Sequence, residues 1–303
     1  MKKSIIALGA VALCGSLLAD VSSANVVGYS TFNKKDGENL QTYGCPFVYV
    51  GAQTAKFKLY DMKVIGTLST STKKSNYIQM IDSSELTMDL ARAYYWDYNK
   101  APSWTTEKGC WCYKQSDEKT GQEKDGVVPQ DTEFPAGTGF LCRFGTDNKG
   151  LGLQFNGQVY KPQAAEIDDK GYITIAKPND SDAFFFFANP FPVEISLADL
   201  YVGGTLSTST KKSNYIQYVK QDELTMDLVR AYYWDYNKTP AAGGDKGCWC
   251  FKQDGPDGQA KDAEITDAAS RKIKPGEGFL CRFGTTGKGI CLKVKVPESI
   301  KSL

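Results

Sequence analysis

The sequence predicts an all-β protein with minor short helices: two tandem homologous β-sandwich or barrel-like domains. Three observations carry this. The stretch Gly66–Lys100 returns as Gly204–Lys238 with 29 identities in 35 positions, so one unit is made twice. Short aromatic and β-branched runs alternate with clusters of Gly, Pro, Asn and Asp, the punctuation of strands rather than helices. A length of 303 residues with 41% hydrophobic content suits two domains of about 100–150 residues, each able to bury a core. The expected division is a signal peptide over 1–24, a first copy over 25–160 and a second over 161–303. The boundary lies in the polar, proline-bearing run from Gln158 to Lys170.

From the N-terminus, Lys2 and Lys3 form a basic head, Ile5–Leu18 an apolar segment too short to span a bilayer well, and Ser22-Ser23-Ala24 a small-residue cleavage site. This pattern reads as an export signal. The expected location is the periplasm, the cell surface or the extracellular space. No later segment is apolar enough to cross a membrane; Phe184–Phe187 has only four residues.

Strands are expected over Val26–Thr31, Phe47–Val50, Ala93–Tyr98, Phe140–Phe144 and Gly171–Ala176. Leu197–Leu200 is expected to make one helical turn. Glu85–Arg92 reads two ways: Ser83 or Ser84 could cap a short helix, whereas the tyrosine-rich run after it favours extension. Cys110-Trp111-Cys112 and Cys248-Trp249-Cys250 alternate with period two, placing both sulfurs on one face and the indole on the other. The polar loops Lys114–Phe134 and Gln253–Lys274 differ between the copies and read as excursions on one rim.

Charge and composition exclude several function classes. Thirty-six basic residues balance 35 acidic ones, for a net charge of +1, which leaves no electrostatic footprint for nucleic acid or an anionic membrane. There is no histidine. Ser–His–Asp and Cys–His catalysis and His-ligated metal sites are therefore absent, as is the usual base near neutral pH. Neither a P-loop nor a dinucleotide fingerprint occurs; the Gly137-Thr138-Gly139 and Gly276-Glu277-Gly278 turns enter strands. The carboxylates Asp89, Asp97, Asp227 and Asp235 have no spacing that demands acid–base work, and Asp254, Asp257 and Asp262 lack an EF-hand pattern. The reading is that of a non-enzyme, with no catalytic residues, no cofactor and no metal.

Two features remain as candidate sites. The first is the cysteines. Export removes Cys14 and leaves Cys45, Cys110, Cys112, Cys142, Cys248, Cys250, Cys281 and Cys291, an even number for which disulfides are the default. One arrangement uses two bridges per copy, for example one C-x-C sulfur to the Gly-Phe-Leu-Cys cysteine and the other to the unique one. A Cys45–Cys291 link is the second, and a thiolate metal site the third, although export argues against the last. Each bridge would stabilise by roughly 2–4 kcal/mol. The second feature is the aromatic run Tyr94, Trp96 and Tyr98, repeated as Tyr232, Trp234 and Tyr236. It reads as core packing or as a pair of exposed platforms for sugar rings. Trp104, Trp111 and Trp249 read as core or disulfide packing.

The motifs Ala24-Asn25-Val26-Val27-Gly28-Tyr29, Ala188-Asn189-Pro190-Phe191, Tyr232-Tyr233-Trp234-Asp235 and Pro275-Gly276-Glu277-Gly278-Phe279 resemble those of a family of uncharacterised exported bacterial β-rich proteins. The first copy departs from them at Gly44-Cys45-Pro46-Phe47 and at Ala136 and Thr138. The resemblance implies an exported β-rich domain and supplies no activity. The first expectation is thus an exported structural or surface protein of stiffened tandem β domains, able to assemble with itself. The second is a carbohydrate-binding protein whose duplicated aromatic faces hold an extracellular glycan.

Overall fold

The computed structural model describes residues 27–33, 40–44, 55–66, 73–82, 87–144, 151–176, 183–206, 209, 211–219, 226–284 and 289–303. The chain is all-β. The first half contributes β1 (Val27–Asn33), β2 (Leu40–Tyr43), β3 (Lys56–Lys58), β4 (Met62–Ile65), β5 (Tyr77–Asp82), β6 (Thr87–Asp97), β7 (Cys110–Tyr113), β8 (Glu133–Pro135), β9 (Phe140–Arg143) and β10 (Gly152–Gln158). The second contributes β11 (Tyr172–Ala176), β12 (Phe184–Ala188), β13 (Ile195–Ser196), β14 (Leu200–Gly203), β15 (Tyr215–Val219), β16 (Met226–Asp235), β17 (Cys248–Phe251), β18 (Lys272–Ile273), β19 (Gly278–Arg282) and β20 (Cys291–Lys295). Four residues, Glu298–Lys301, form the α-helix α1.

Each half builds a five-stranded sheet, β2-β9-β5-β6-β7 and β12-β19-β15-β16-β17. Each adds a three-stranded sheet, β1-β10-β4 and β11-β20-β14, and a two-stranded ribbon, β3-β8 and β13-β18. All these pairings are antiparallel. The five-stranded and three-stranded sheets of each half enclose a core rich in rings: Phe57, Phe134, Phe140, Trp111 and Phe155 in the first, Phe187, Trp249, Phe279 and Phe283 in the second. Trp111 and Trp249 hold the layers together. Each donates its indole N–H across the core to a backbone oxygen of the other sheet, that of Met62 and of Leu200, both at 2.7 Å. A buried indole needs such an acceptor.

The ambiguous stretch resolves as strand from Thr87 onward, while 83–86 lie outside the described residues. Residues 90–92 are bulged out of β6: Gln79 pairs with Ala93, but Met80 pairs with Asp89. Asp89 Oδ1 closes the bulge by accepting from the backbone N–H groups of Ala91 and Arg92. Asp227 does the same for Val229 and Arg230, the turn chemistry expected of a short carboxylate. Leu197–Asp199 makes a single 3₁₀ turn, close to the expected one.

The halves are joined by backbone hydrogen bonds. Gly44 N donates to Gly276 O at 2.8 Å, and Ala188 N donates to Gly137 O at 2.9 Å. These residues correspond in the two copies, so the joint is pseudo-twofold. Gly139 N also donates to Phe186 O at 2.9 Å. Beside this joint the five-stranded sheets pack through Ile81 and Leu141 against Phe186, Val219 and Leu280. The segment leading into the second half is anchored too: Tyr160 stacks on Phe191 at 5.7 Å, with ring planes 10° apart.

The expected signal segment 1–24, Cys45, the strand over Phe47–Val50 and the first part of the repeated stretch, 67–72, lie outside the described residues. Among the described residues, no helix is long and apolar enough to cross a membrane.

Candidate functional site

The repeated stretch places its two lysines identically. Lys73 pairs with Asp97 at 2.6 Å and Lys74 with Asp125 at 2.6 Å; Lys211 pairs with Asp235 at 2.6 Å and Lys212 with Asp262 at 2.5 Å. The tyrosine after the core tyrosine joins in, Tyr95 donating to Asp125 and Tyr233 to Asp262, both at 2.8 Å. Lys100 and Lys238 then bind the backbone oxygens of those same aspartates. Asp125 and Asp262 both stand at φ +65°, a left-handed conformation that Asp tolerates better than most residues. Burial pulls each carboxyl upward, but hydrogen bonds from the lysine and tyrosine prevail and hold both below the usual carboxylate range. The network therefore clamps each excursion loop over the Tyr95 and Tyr233 face, which is how two divergent loops end in one geometry. Asp89, Asp97, Asp227 and Asp235 are committed to bulges and ion pairs, and Asp254 Oδ1 accepts from Lys261 N. Among the described residues, no group of three or more Cys, Asp and Glu could hold a metal ion.

The cysteines correct one expectation. Cys110, Cys112, Cys248, Cys250, Cys281 and Cys291 are free and buried. Alternation works as anticipated: Cys110 and Cys112 lie with Tyr77, Ala93 and Tyr95, while Trp111 and Cys142 lie in the main core on the other face. Cys142 and Cys112 are also kept apart laterally, since β5 and β6 run between their strands. Two strand spacings beyond the neighbouring one amount to about 14 Å, far outside the reach of a disulfide. The same holds for Cys281 and the pair on β17. Cys45, one end of the alternative link, lies outside the described residues; Cys291 is a free thiol.

The aromatic run divides. Tyr94 and Tyr232 are buried in the core, Tyr94 edge-on to Phe134 at 6.3 Å, so neither belongs to an open platform. Trp96 and Trp234 are half-buried and meet Trp111 and Trp249 edge-on at 5.4 and 5.5 Å. Each indole lies over a glycine. A Cβ on Gly109 would come 2.7 Å from Trp96 Cζ2, and one on Gly247 would come 2.5 Å from Trp234 Cζ2. Tyr98 is half-buried against the core. Trp104 corrects a second expectation: it is 39% exposed and packs edge-on to Tyr60 outside the core.

In the second half Trp234 and Tyr236 line an open cleft of about 710 Å³ together with Tyr172, Tyr201, Lys170 and Lys293. Tyr172 meets Tyr201 edge-on at 4.9 Å, and Tyr201 lies against Trp234 at 5.7 Å, so three rings form a continuous wall. Lys293 is held by Asp168 at 3.1 Å, and Asp245, Lys246 and Thr205 add polar groups to the rim. Tyr172 and Tyr201 were not among the candidates from sequence. The signal was present at one position: Lys63 in Asp61-Met62-Lys63-Val64 aligns with Tyr201 in Asp199-Leu200-Tyr201-Val202, just upstream of the repeated stretch. Comparison with protein-family models, curated proteins and solved structures finds no match for this chain.

Proposed function

We propose that the chain is an exported, non-catalytic carbohydrate-binding protein whose second half holds the sugar. The observation that supports this is the cleft walled by Tyr172, Tyr201 and Trp234 with Tyr236 beside them and lysine, aspartate and threonine groups at its rim. Ring faces present apolar, flat surface to the C–H face of a pyranose, while a few placed polar groups fix its hydroxyls. The second half carries Tyr201 where the first carries Lys63, and this ring links Tyr172 to Trp234 along the wall. The test is retardation in native gels containing polysaccharide. Trp234→Ala and Tyr201→Ala proteins that retain the wild-type circular dichroism should migrate freely, and Trp96→Ala should be retarded like wild type. Equal retardation of all four would overturn the assignment.

A second reading, an exported surface protein that assembles with itself, draws on a different observation. Leu90 and Val229, at neighbouring rather than equivalent positions of the bulge in each half, are 39% and 36% exposed, one apolar point per half. The edges of the five-stranded sheets favour it less. Phe187 on β12 is bridged to Thr138, Cys112 on β7 to Val127, and Cys250 on β17 to Glu264, so these edges are already occupied. Sedimentation velocity across a hundredfold concentration range separates the readings; a constant monomer value would remove the second.

A further inference from the structure

Cations accompany the ring wall of the second-half cleft. Tyr172, Tyr201 and Trp234 follow one another along that wall. Lys170 precedes Tyr172 by two positions, and Lys246 adjoins Gly247, over which the Trp234 indole lies. Both lysines line the cleft and are exposed. Lys293 stands on the strand between Tyr172 and Tyr201: it is opposite Tyr201 in the β14–β20 pairing and opposite Thr174 in the β11–β20 pairing. An ammonium group is thus anchored near each end of the wall, with a third between them.

The three are not compensated alike. Lys293 is paired with Asp168 at 3.1 Å. Among the described residues, the ammonium groups of Lys170 and Lys246 make no ion pair and no hydrogen bond, whereas Lys73, Lys74, Lys211 and Lys212 are each neutralised by an aspartate. Asp245 is the one carboxylate among the described lining residues. Counting Asp168 behind Lys293, three lysines meet two aspartates, an excess of one positive charge. Lys170 and Lys293 stand where the first half has Val27 and Gln154, so two of the three cations belong to the copy that also has Tyr201. A neutral sugar seated on the rings would cover part of the hydration of these ammonium groups and return only hydroxyl dipoles. An acidic sugar would return a full counter-charge through a charge-assisted hydrogen bond.

Resting on the carbohydrate reading above, we propose that the glycan held in this cleft is an anionic polysaccharide. Its pyranose faces lie on Tyr172, Tyr201 and Trp234, and acidic groups of different units along one chain meet Lys170 and Lys246. Asp245 accepts from a sugar hydroxyl. A polymer whose charge recurs along its length suits a wall with a free cation near each end better than a single acidic monosaccharide does. Lysine is a point charge without the bidentate geometry of arginine, so carboxylate and sulfate ester share the chemistry that this site recognises.

The experiment compares two matched pairs of polymers in affinity gels, each run against a polymer-free gel: polygalacturonate with its methyl ester, and a sulfated galactan with its desulfated form. The wild-type protein is expected to bind at least one charged member at least tenfold more tightly than its neutral counterpart; which pair responds tells carboxylate from sulfate. That preference should shrink as salt rises from about 0.05 to 0.5 M, as screening requires. Lys170→Gln combined with Lys246→Gln should remove the preference, while Lys108→Gln, at the first-half counterpart of Lys246, should keep it. Should the double variant misfold, the wild-type comparison still decides. Equal or tighter binding of the neutral polymers, abolished in Trp234→Ala, would overturn the anionic assignment and leave the carbohydrate reading standing. A preference that survives in the folded double variant would also overturn it, and binding to none of the four polymers would remove the carbohydrate reading as well.

Discussion

Tyr201 lies against Trp234 with ring centroids 5.7 Å apart and planes tilted by 42°; in the first half Lys63 takes the place of Tyr201. The ring that completes the wall beside Trp234 is thus one that the first copy does not encode. Tyr201→Lys, which copies the first half into the second, is expected to lower polysaccharide affinity at least tenfold, about 1.4 kcal/mol, with little change in melting temperature. Affinity electrophoresis and thermal denaturation on the same samples check this.

The seam between the halves contains buried polar atoms that find no hydrogen-bond partner among the described residues: Thr42 Oγ1, Gln79 Nε2 and Gln217 Nε2. They sit among Ile81, Leu141, Phe186, Val219 and Leu280. An unsatisfied buried donor costs about 1–3 kcal/mol. Gln79→Leu and Gln217→Leu are each expected to stabilise by about 1 kcal/mol, read as a higher denaturant midpoint at unchanged slope.

At the pseudo-twofold joint, Gly44 faces Ala188. A Cβ on Gly44 would come 2.2 Å from Thr138 O and 2.7 Å from Ala188 Cβ. Gly44→Ala is expected to destabilise by about 1–3 kcal/mol. Proteolysis should then separate the halves more readily, which limited digestion followed by mass spectrometry measures.

The clamps predict an asymmetric pH profile. Asp125, Asp262 and Asp235 have folded pKa values below the ordinary 3.8. Their contribution is complete above the unfolded value and is lost as pH falls through the folded one. Tyr95 and Tyr233 are raised above the ordinary 10.0, chiefly by burial. Their contribution is complete below the unfolded value and is lost as pH rises through the folded one. The melting temperature should be flat between these limits and fall on both sides. Lys74→Met together with Lys212→Met should weaken the acid limb and leave the alkaline limb in place.

Much of the fold was legible because its causes are local. The alternation of Cys110-Trp111-Cys112 put the indole and the sulfurs on opposite faces, as a two-residue period must. The β-branched and aromatic runs marked β1, β6, β9 and β11. The bulge at 90–92 was not legible: its cause, Asp89 turning back on Ala91 and Arg92, looks in sequence like a helix start. The network around Asp125 and Asp262 was hidden for another reason. Both aspartates stand in loops that otherwise diverge, and only folding brings them to Lys74 and Lys212, 50 or so positions away.

By itself the sequence determined an all-β chain and the pairing of like residues between its two copies, because side-chain period and turn chemistry act over a few neighbours. Tertiary structure decided what the sulfurs and rings do. Strand order set β5 and β6 between Cys142 and Cys112 and so removed the anticipated bridge, and it carried Tyr172 from β11 and Tyr201 from β14 to the side of Trp234 on β16. Such neighbourhoods depend on which strands are adjacent, a property of the whole sheet that no short window of residues contains.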